Sequence, residues 1–199
     1  VGPDGGSHQM LEDVSLMRGL PGMRVLVPAD YAAARAALRL AAATPGPVYV
    51  RMGRAAVPCV YDDEVELEIG RAYVLREGSD VTIVANGVEI REALAAADAL
   101  AADGISAEVI DAFSVKPLDE EAIAAAAACR LVITVEEGVI AGGAGEGVLE
   151  VLARQGATTP AVTLGIPDRF IGQGPVSQLF ADLGLNAEGI AAAVREVLA

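Results

Sequence analysis

The residue types with the greatest chemical potential lie near the amino end, in the stretch DGGSHQ over residues 4–9. Asp4 supplies a carboxylate, and His8, the only histidine in the sequence, supplies an imidazole that acts as acid, base or donor near neutral pH. The glycines between them let the backbone approach a ligand closely. A glycine turn followed by a surface histidine that caps a helix accounts for the same residues. On residue types alone this simpler interpretation is favoured.

A second candidate is Arg54, which the sequence places just beyond the strand predicted for VYVRMG. Open α/β sheets bind ligands beyond the carboxyl ends of their parallel strands, and a guanidinium there can hold a phosphate through paired hydrogen bonds. A surface salt bridge is the alternative role for Arg54, and it is favoured when the residue is considered alone. Arg51, inside the same strand, is interpreted as structural.

The glycine-rich run EEGVIAGGAGEGV follows a predicted strand and opens a predicted helix, as dinucleotide-binding loops do. Its spacing differs from theirs, because the position of the third glycine is occupied by Val148, so packing of helix against strand is the favoured role. Glu136 and Glu137 are a candidate carboxylate pair for proton transfer, although a solvated or interface pair of acids is favoured. Lys116 precedes a proline, which favours a strand-to-helix corner over a reactive lysine.

Composition limits the function classes. The 199 residues carry 28 acidic and 14 basic side chains, a net charge of −14, and this field repels nucleic acid and anionic membranes. Apolar residues make up 53% of the chain, but no apolar run approaches the roughly 18 residues of a membrane span. Cys59 and Cys129 are far apart and have no histidine beside them, so we expect buried thiols and no metal site. We therefore expect a cytoplasmic protein in a reducing compartment.

Strands and helices alternate along the chain in the pattern of an α/β fold with a mostly parallel sheet. Buried strands are predicted for MRVLVPA, VYVRMG, DVTIVANG, SAEVIDA, RLVITVEE and AVTLGIP, and an edge strand for RAYVLREG. Helices are predicted over 7–19, 31–43, 88–103, 119–129, 144–155 and 187–198, with Ser7, Asp30 and Asn186 as caps.

The distribution of these elements divides the chain in two. Residues 70–199 contain a complete α/β domain. Residues 1–58 have only two predicted strands, too few for an independent sheet, and are interpreted as an incomplete domain. The acidic, irregular stretch 59–69 is the predicted linker.

Several of these stretches, taken in order, resemble the thiamine diphosphate-dependent transketolase family over essentially the whole chain. GPDGGSHQMLED is similar to the family's D-G-x-[ST]-H-Q segment, LPGMRVLVPAD to its P-x-M-x-V-x-x-P-x-D continuation, and GPVYVRMGR to the strand that carries the substrate arginine. VKPLD, ITVEE and GIPDRF resemble corners of its C-terminal domain. The strongest likeness is to the separate C-terminal section of two-part transketolases, with which the chain shares Glu12. Deoxyxylulose-phosphate synthases typically differ where Met10 and Gly53 stand.

The resemblance implies a three-layer αβα domain of the transketolase C-terminal type, with a mostly parallel sheet, preceded by a partial pyrimidine-binding domain. It implies that Asp4 and His8 contact hydroxyls of the donor sugar or the intermediate, with His8 as the catalytic residue. Arg54 matches the arginine that binds the substrate phosphate. No role carries over to Gly138, which stands where many relatives have histidine.

The resemblance also implies a transferase that moves a two-carbon ketol unit between sugar phosphates with thiamine diphosphate and Mg²⁺. The family's glutamate that activates the aminopyrimidine and its G-D-G…N diphosphate motif are not found in these 199 residues. We therefore expect a fragment that binds no cofactor and is inactive alone. Its expected partners are sugar phosphates, an N-terminal transketolase section and a second copy in a homodimer. A 1-deoxy-D-xylulose-5-phosphate synthase-like enzyme and a non-catalytic dimerisation or scaffold module are the alternatives.

Overall fold

The amino-terminal part of the chain folds into two helices and two short strands. The computed structural model describes residues 8–54 and 56–199. The Asp30 carboxylate accepts a hydrogen bond from the Ala33 amide at 2.8 Å, which confirms the predicted cap of the second helix. The elements of this part are α1 (Asp13–Gly19), β1 (Arg24–Leu26), α2 (Tyr31–Ala43) and β2 (Val48–Val50).

The rest of the chain alternates between strands and helices. The Asn186 side chain accepts a hydrogen bond from the Gly189 amide at 2.9 Å and so caps the last helix, as predicted. The strands are β3 (Tyr73–Arg76), β4 (Val81–Ala85), β5 (Ala107–Asp111), β6 (Ser114–Lys116), β7 (Leu131–Val139) and β8 (Ala161–Ile166). The helices are α3 (Glu89–Ala102), α4 (Glu120–Ala126), α5 (Ala144–Arg154), α6 (Val176–Leu183) and α7 (Ala187–Leu198).

Five of these strands form one sheet in the order β3-β5-β4-β7-β8. β4 pairs in parallel with both of its neighbours, β7 pairs in parallel with β8, and only β3 at the edge is antiparallel to its neighbour. The crossover helices pack in two pairs, α3 with α7 and α4 with α5. The predicted αβα architecture with a mostly parallel sheet is confirmed.

Alternation along the central strands builds a core on each face of this sheet. Ile83 and Ile133 join Ile90 of α3 and Ile190 of α7 in one fully buried cluster. Residues one position away, such as Val84 and Val132, pack on the opposite face with Ile123 of α4 and Val148 of α5. Because side chains alternate across a strand, a strand buried on both faces is apolar throughout, which explains the continuous apolar runs in the sequence.

A second sheet completes the amino-terminal part with a strand from the other domain. Its order is β2-β1-β6, with β2 parallel and β6 antiparallel to β1. The sequence predicted only a corner at β6, yet this strand pairs with β1 and is the third strand of the sheet. The Lys116 ammonium donates to the carbonyl oxygens of Arg18 and Leu20, both at 2.6 Å, so Lys116 is structural as predicted.

Two helices differ from the sequence-based expectation. α1 begins at Asp13, since residues 8–12 form turns and bends; the predicted cap Ser7 lies outside the described residues. α6 was not predicted, although its apolar residues Val176, Leu179, Phe180 and Leu183 recur at helical spacing; it is only eight residues long and none of its residues is fully buried. Predicted boundaries of the other helices agree within about three residues, which is the usual uncertainty of helix ends.

The two cysteines are both free thiols. Cys129 is half-buried, but Cys59 is exposed, so the expectation of a buried thiol is wrong there because the segment around it runs over the surface. Among the described residues, no helix combines the length and the apolar character that crossing a membrane requires.

Candidate functional site

A cleft of about 970 Å³ lies where the amino-terminal part meets the main sheet. Its walls come from residues of 9–13, from β2 and the loop after it, from the first turn of α3 and from the apolar face of α6. Glu137 near the end of β7 and Ile166 at the end of β8 also line it. The cleft therefore opens beyond the carboxyl ends of parallel strands, where open α/β sheets bind their ligands.

The floor of the cleft holds a bridge of three ionised groups, which we call the Arg51 bridge: Asp13, Arg51 and Glu137. The Arg51 guanidinium donates from Nε to Asp13 Oδ2 at 2.9 Å and from Nη1 to Glu137 Oε2 at 2.9 Å. The Tyr49 hydroxyl donates to the same Asp13 oxygen at 2.8 Å. Helix α1, strand β2 and strand β7 are thus joined at one point.

Burial sets the electrostatics of the Arg51 bridge. Asp13 is 3% exposed, and its carboxylate can remain buried because Tyr49 and Arg51 both donate to it. Burial lowers the pKa of Arg51, but the facing Glu137 and Asp13 carboxylates outweigh it and hold that pKa above its ordinary value. Burial, followed by the bond to Asp13, raises the pKa of Tyr49 to about 12. Arg51 and Tyr49 therefore keep their protons throughout the neutral range.

Glu89 is a further buried acid, and it interacts electrostatically with Glu137 and Arg51 of the floor. It is the first residue of α3, it is fully buried, and neither of its carboxyl oxygens has a hydrogen-bond partner among residues 8–54 and 56–199. Burial, with smaller contributions from the Glu137 and Glu92 charges, raises the pKa of Glu89 to about 9. Glu89 is therefore a neutral carboxylic acid at neutral pH, next to a bridge whose members are charged.

The rim of the cleft carries Arg54. The residue is exposed, lines the cleft, and forms no ion pair with any side chain of residues 8–54 or 56–199. A Cβ on neighbouring Gly53 would lie 3.2 Å from Val88 Cγ1, so this loop passes tightly against the start of α3. Arg91, in the first turn of α3, lines the same cleft and pairs with Glu92 at 2.6 Å. The rim thus presents two exposed guanidinium groups.

The other predicted site residues lie at the amino-terminal side of the cleft. His8 is exposed, in a turn directly before Gln9, the first described residue that lines the cleft. Asp4 lies outside the described residues. The structure thus brings Arg54 and the segment that begins at His8 to the same cleft, although Arg54 and Gln9 are 45 positions apart in the sequence.

Glu136 and Glu137 have separate environments rather than forming a pair. Glu136 is buried and accepts hydrogen bonds from the amides of Ala144 and Gly145, at 2.9 and 2.8 Å, at the start of α5. Burial raises the pKa of Glu136 even though both amides lower it. The glycine-rich run therefore packs α5 against β7, as predicted, while Glu137 is the acid that meets the amino-terminal part through Arg51.

Two family models match the chain. "Transketolase, C-terminal domain" matches residues 70–190, and "Transketolase, pyrimidine binding domain" matches residues 1–60. The chain belongs to the transketolase family. The resemblance in its motifs and the order of its strands and helices agree with this assignment.

Individual transketolase-family relatives cover nearly the whole chain. A protein of Methanocaldococcus jannaschii described as a transketolase C-terminal section is 42% identical over 198 residues, which is 98% of this chain and 62% of that protein. The 1-deoxy-D-xylulose-5-phosphate synthase 1 of Geobacter sulfurreducens is 47% identical over 205 residues, 100% of this chain and 32% of that enzyme. A solved structure titled as a split gene transketolase, inactive β4 tetramer, is 44% identical with a TM-score of 0.92, over 96% of this chain and 63% of that one. The chain thus spans a third to two thirds of these relatives.

Sequence reasoning missed the Arg51 bridge and Glu89 in this transketolase-family cleft. The interpretation of Arg51 as structural agrees with these contacts, but its partners Asp13 and Glu137 lie 38 and 86 positions away and no local pattern links them. A signal for Glu89 exists in hindsight, because it occupies a core-facing position in an otherwise apolar stripe of α3 with Ala93, Ala96 and Leu100.

Proposed function

We propose that this chain is the C-terminal section of a two-part transketolase, which moves a two-carbon ketol unit between sugar phosphates. The observation that carries the proposal is the cleft itself. Its rim holds Arg54, whose charge no described side chain neutralises, and the segment beginning with His8 forms another part of its edge. In a chain with a net charge of −14, an exposed arginine at the carboxyl ends of parallel strands supports binding of an anionic substrate.

The roles of the chain's own residues follow from their chemistry. Arg54 binds the substrate phosphate through charge-assisted hydrogen bonds. His8 faces the hydroxyl-bearing end of the donor and can accept or donate a proton there at neutral pH, while Asp4 is assigned to hydroxyl binding by its match to the family motif. The Arg51 bridge forms the floor beneath the substrate and is assigned no part in proton transfer, because its members are hydrogen-bonded to one another.

Thiamine diphosphate, when bound to the complete enzyme, supplies the carbanion chemistry. The described residues do not fit the metal-bound diphosphate by themselves, because among them no three His, Cys, Asp or Glu side chains are placed to hold a metal ion. We therefore assign the Mg²⁺ and diphosphate ligands to an N-terminal transketolase section. This chain contributes the phosphate-binding and hydroxyl-binding side of a site that the two sections form together.

The test is reconstitution. The chain is mixed with an N-terminal transketolase section, thiamine diphosphate and Mg²⁺, and given hydroxypyruvate as ketol donor and an aldose phosphate as acceptor. We expect a ketose phosphate longer by two carbons only when both sections are present. Failure to form that product with a partner section that binds the chain and the cofactor would refute the proposal.

The deoxyxylulose-phosphate synthase alternative is supported by the relative of that name and predicts a different donor. A 1-deoxy ketose lacks the hydroxyl that the ketol unit carries, so its donor is pyruvate rather than hydroxypyruvate. Use of pyruvate in preference to hydroxypyruvate by the reconstituted enzyme would establish that alternative. Activity with neither donor would leave the non-catalytic scaffold as the function.

The isolated chain is proposed to be an inactive homodimer that binds no cofactor. The solved relative described as an inactive β4 tetramer supports self-association without catalysis. The exposed apolar side chains Leu16, Tyr31, Leu38 and Phe170 supply surface that a second copy can cover. Light scattering should report a dimer and calorimetry no saturable heat with thiamine diphosphate and Mg²⁺. A strict monomer at high concentration would contradict the first expectation, and micromolar binding of the cofactor the second.

A further inference from the structure

The segment that carries His8 is attached to the rest of the protein at Leu11 and Asp13, two residues that line the cleft. Residues 8–12 form no regular element, so their position depends on individual contacts rather than on a helix or a strand. The Val139 amide donates to the Leu11 carbonyl oxygen at 3.0 Å, which fixes the segment to the end of β7. This hydrogen bond is the first of two attachments that the segment makes near the end of β7.

The second attachment is the Arg51 bridge. Asp13 is the first residue of α1 and lies only two positions after Leu11. Its carboxylate is held by Tyr49 and by Arg51, and Arg51 in turn reaches Glu137 on β7. Both attachments of the segment therefore converge on the last residues of one strand, between Glu137 and Val139.

The chemistry of the bridge is unusual for a purely stabilising contact. Exchange of a buried ion pair for well-packed apolar side chains is often neutral or stabilising, so burial of Asp13 is not explained by stability alone. The ionic arrangement offers directional hydrogen bonds instead, because a guanidinium holds two carboxylates at fixed angles. Directional contacts at the base of an irregular segment are what a precisely placed side chain needs.

We propose that Arg51 is a positioning residue: together with Asp13 and Glu137 it fixes the segment 8–12, and with it His8, at the edge of the cleft. The relevance of this to catalysis rests on the proposed function, since it assumes that His8 acts on the substrate. The positioning itself is a property of the chain alone. Arg51 would thus have two roles: it joins two parts of the fold, and it sets the geometry of the site.

His8 makes this proposal directly measurable, because it is the only histidine in the sequence and gives a single imidazole signal in an NMR spectrum. The variants are Asp13→Asn and Glu137→Gln, which preserve shape and remove one charge each. In both we expect the His8 imidazole signal to shift. We also expect the amide order parameters of residues 9–12 to fall from the rigid range near about 0.85 toward the flexible range below about 0.6.

The matched control is Asp103→Asn. Asp103 accepts two hydrogen bonds from Arg195 on the surface of the C-terminal part, at 2.8 and 2.6 Å, and does not line the cleft. This variant also removes one ion-paired carboxylate and should leave the His8 signal and the order parameters unchanged. Circular dichroism confirms that each variant is folded, and Tyr49→Phe, which removes only a hydroxyl, provides a milder disturbance if Asp13→Asn unfolds.

An unchanged His8 signal and unchanged order parameters in folded Glu137→Gln and Tyr49→Phe would overturn the proposal. In the reconstituted enzyme, Glu137→Gln should lower kcat about tenfold and leave KM for the phosphorylated acceptor unchanged, because Arg54 is not disturbed. A rise in KM for the phosphorylated acceptor as large as the fall in kcat would show that the bridge supports the whole cleft rather than His8 in particular. The NMR result does not depend on activity, so failure of the proposed function is distinguishable from failure of this inference.

Discussion

Two arginines three positions apart in the sequence have opposite environments. Arg51 is half-buried on the floor of the cleft, where two carboxylates meet it at 2.9 Å. Arg54 is exposed at the rim, and no described side chain pairs with it. Both belong to the same short stretch after β2, so the difference arises from the direction in which each side chain leaves the backbone and from what lies there.

The difference indicates which charges serve the fold and which are available to a ligand. A buried cation needs partners within the protein, and once carboxylates neutralise its charge it attracts an anionic substrate less strongly. An exposed cation in a strongly acidic chain attracts anions, and because it stays in water its charge is not desolvated on folding. We therefore expect substitution of Arg51 to change stability and geometry, and substitution of Arg54 to change substrate affinity.

The largest expected effect is a loss of stability when Arg51, on the floor of the cleft, is replaced. Arg51→Met leaves the Asp13 carboxylate buried with only the Tyr49 hydroxyl to donate to it, and removal of one partner from a buried pair typically costs about 3–5 kcal/mol. We expect the free energy of unfolding in urea to fall by about 3 kcal/mol, toward the low end because Glu137 is partly solvated. The double variant Arg51→Met with Asp13→Asn should recover part of this loss. A double variant less stable than the single one would show that packing, rather than the orphaned charge, is responsible.

The second largest expected effect is a loss of kcat/KM when Arg54, at the rim of the cleft, is replaced. In the role proposed for Arg54, the substitution Arg54→Ala removes a charged hydrogen bond to the substrate phosphate, and such a bond is worth roughly 1.5–3 kcal/mol. In the reconstituted enzyme we expect kcat/KM for a phosphorylated substrate to fall by about one to two orders of magnitude. For hydroxypyruvate, which has no phosphate, the fall should be small.

The control for this prediction is Arg91→Ala. Arg91 is exposed in the same cleft, but it already pairs with Glu92, so it is less available to a phosphate. If Arg54→Ala lowered kcat/KM equally for the phosphorylated substrate and for hydroxypyruvate, Arg54 would be structural. The contrast between floor and rim would then disappear. A larger loss in Arg91→Ala would move the phosphate site to the start of α3.

The sequence was sufficient for those parts of the fold that depend on local signals. Apolar runs predicted the central strands, and Asp30 and Asn186 predicted two helix starts, because caps and burial patterns involve residues close in sequence. The third strand of the smaller sheet was missed, since β6 is added by residues about 90 positions from β1. The Arg51 bridge was missed for the same reason.

Glu89 extends the comparison, because it is as buried as Asp13 but has no hydrogen-bond partner in the described part of the chain. Its pKa is raised to about 9, whereas the ordinary value of a glutamate in an unfolded chain is about 4.3. Between these two values the folded state holds a proton that the unfolded state has released. The contribution of Glu89 to stability is therefore complete below about pH 4.3 and is lost as the pH rises through about 9.

Glu89→Gln removes this titration and keeps the shape of the side chain. We expect the variant to be more stable than the parent at pH 8.5, by on the order of 2 kcal/mol, and the difference to shrink as the pH falls toward 5.5. Urea unfolding of both proteins at pH 5.5, 7 and 8.5 measures the difference directly. The other carboxylates titrate in the same way in both proteins, so their contributions to the difference in the free energy of unfolding cancel. A difference that does not vary with pH would mean that Glu89 is already ionised in the folded state.

The smallest expected effect concerns the pair of Arg195 and Asp103, which has contacts as short as those of the Arg51 bridge, at 2.6 and 2.8 Å. Its side chains are 44% and 46% exposed, whereas that of Asp13 is 5% exposed. Exposed ion pairs are worth about 0.2–1 kcal/mol, because water competes for both partners and salt screens them. Arg195→Gln should therefore lower the free energy of unfolding by less than about 1 kcal/mol, and added salt should reduce that loss further. The loss caused by Arg51→Met should persist at high salt, because buried charges are screened far less. If both variants lost the same amount and responded equally to salt, burial would not be what separates them, and distance alone would determine the strength of these pairs.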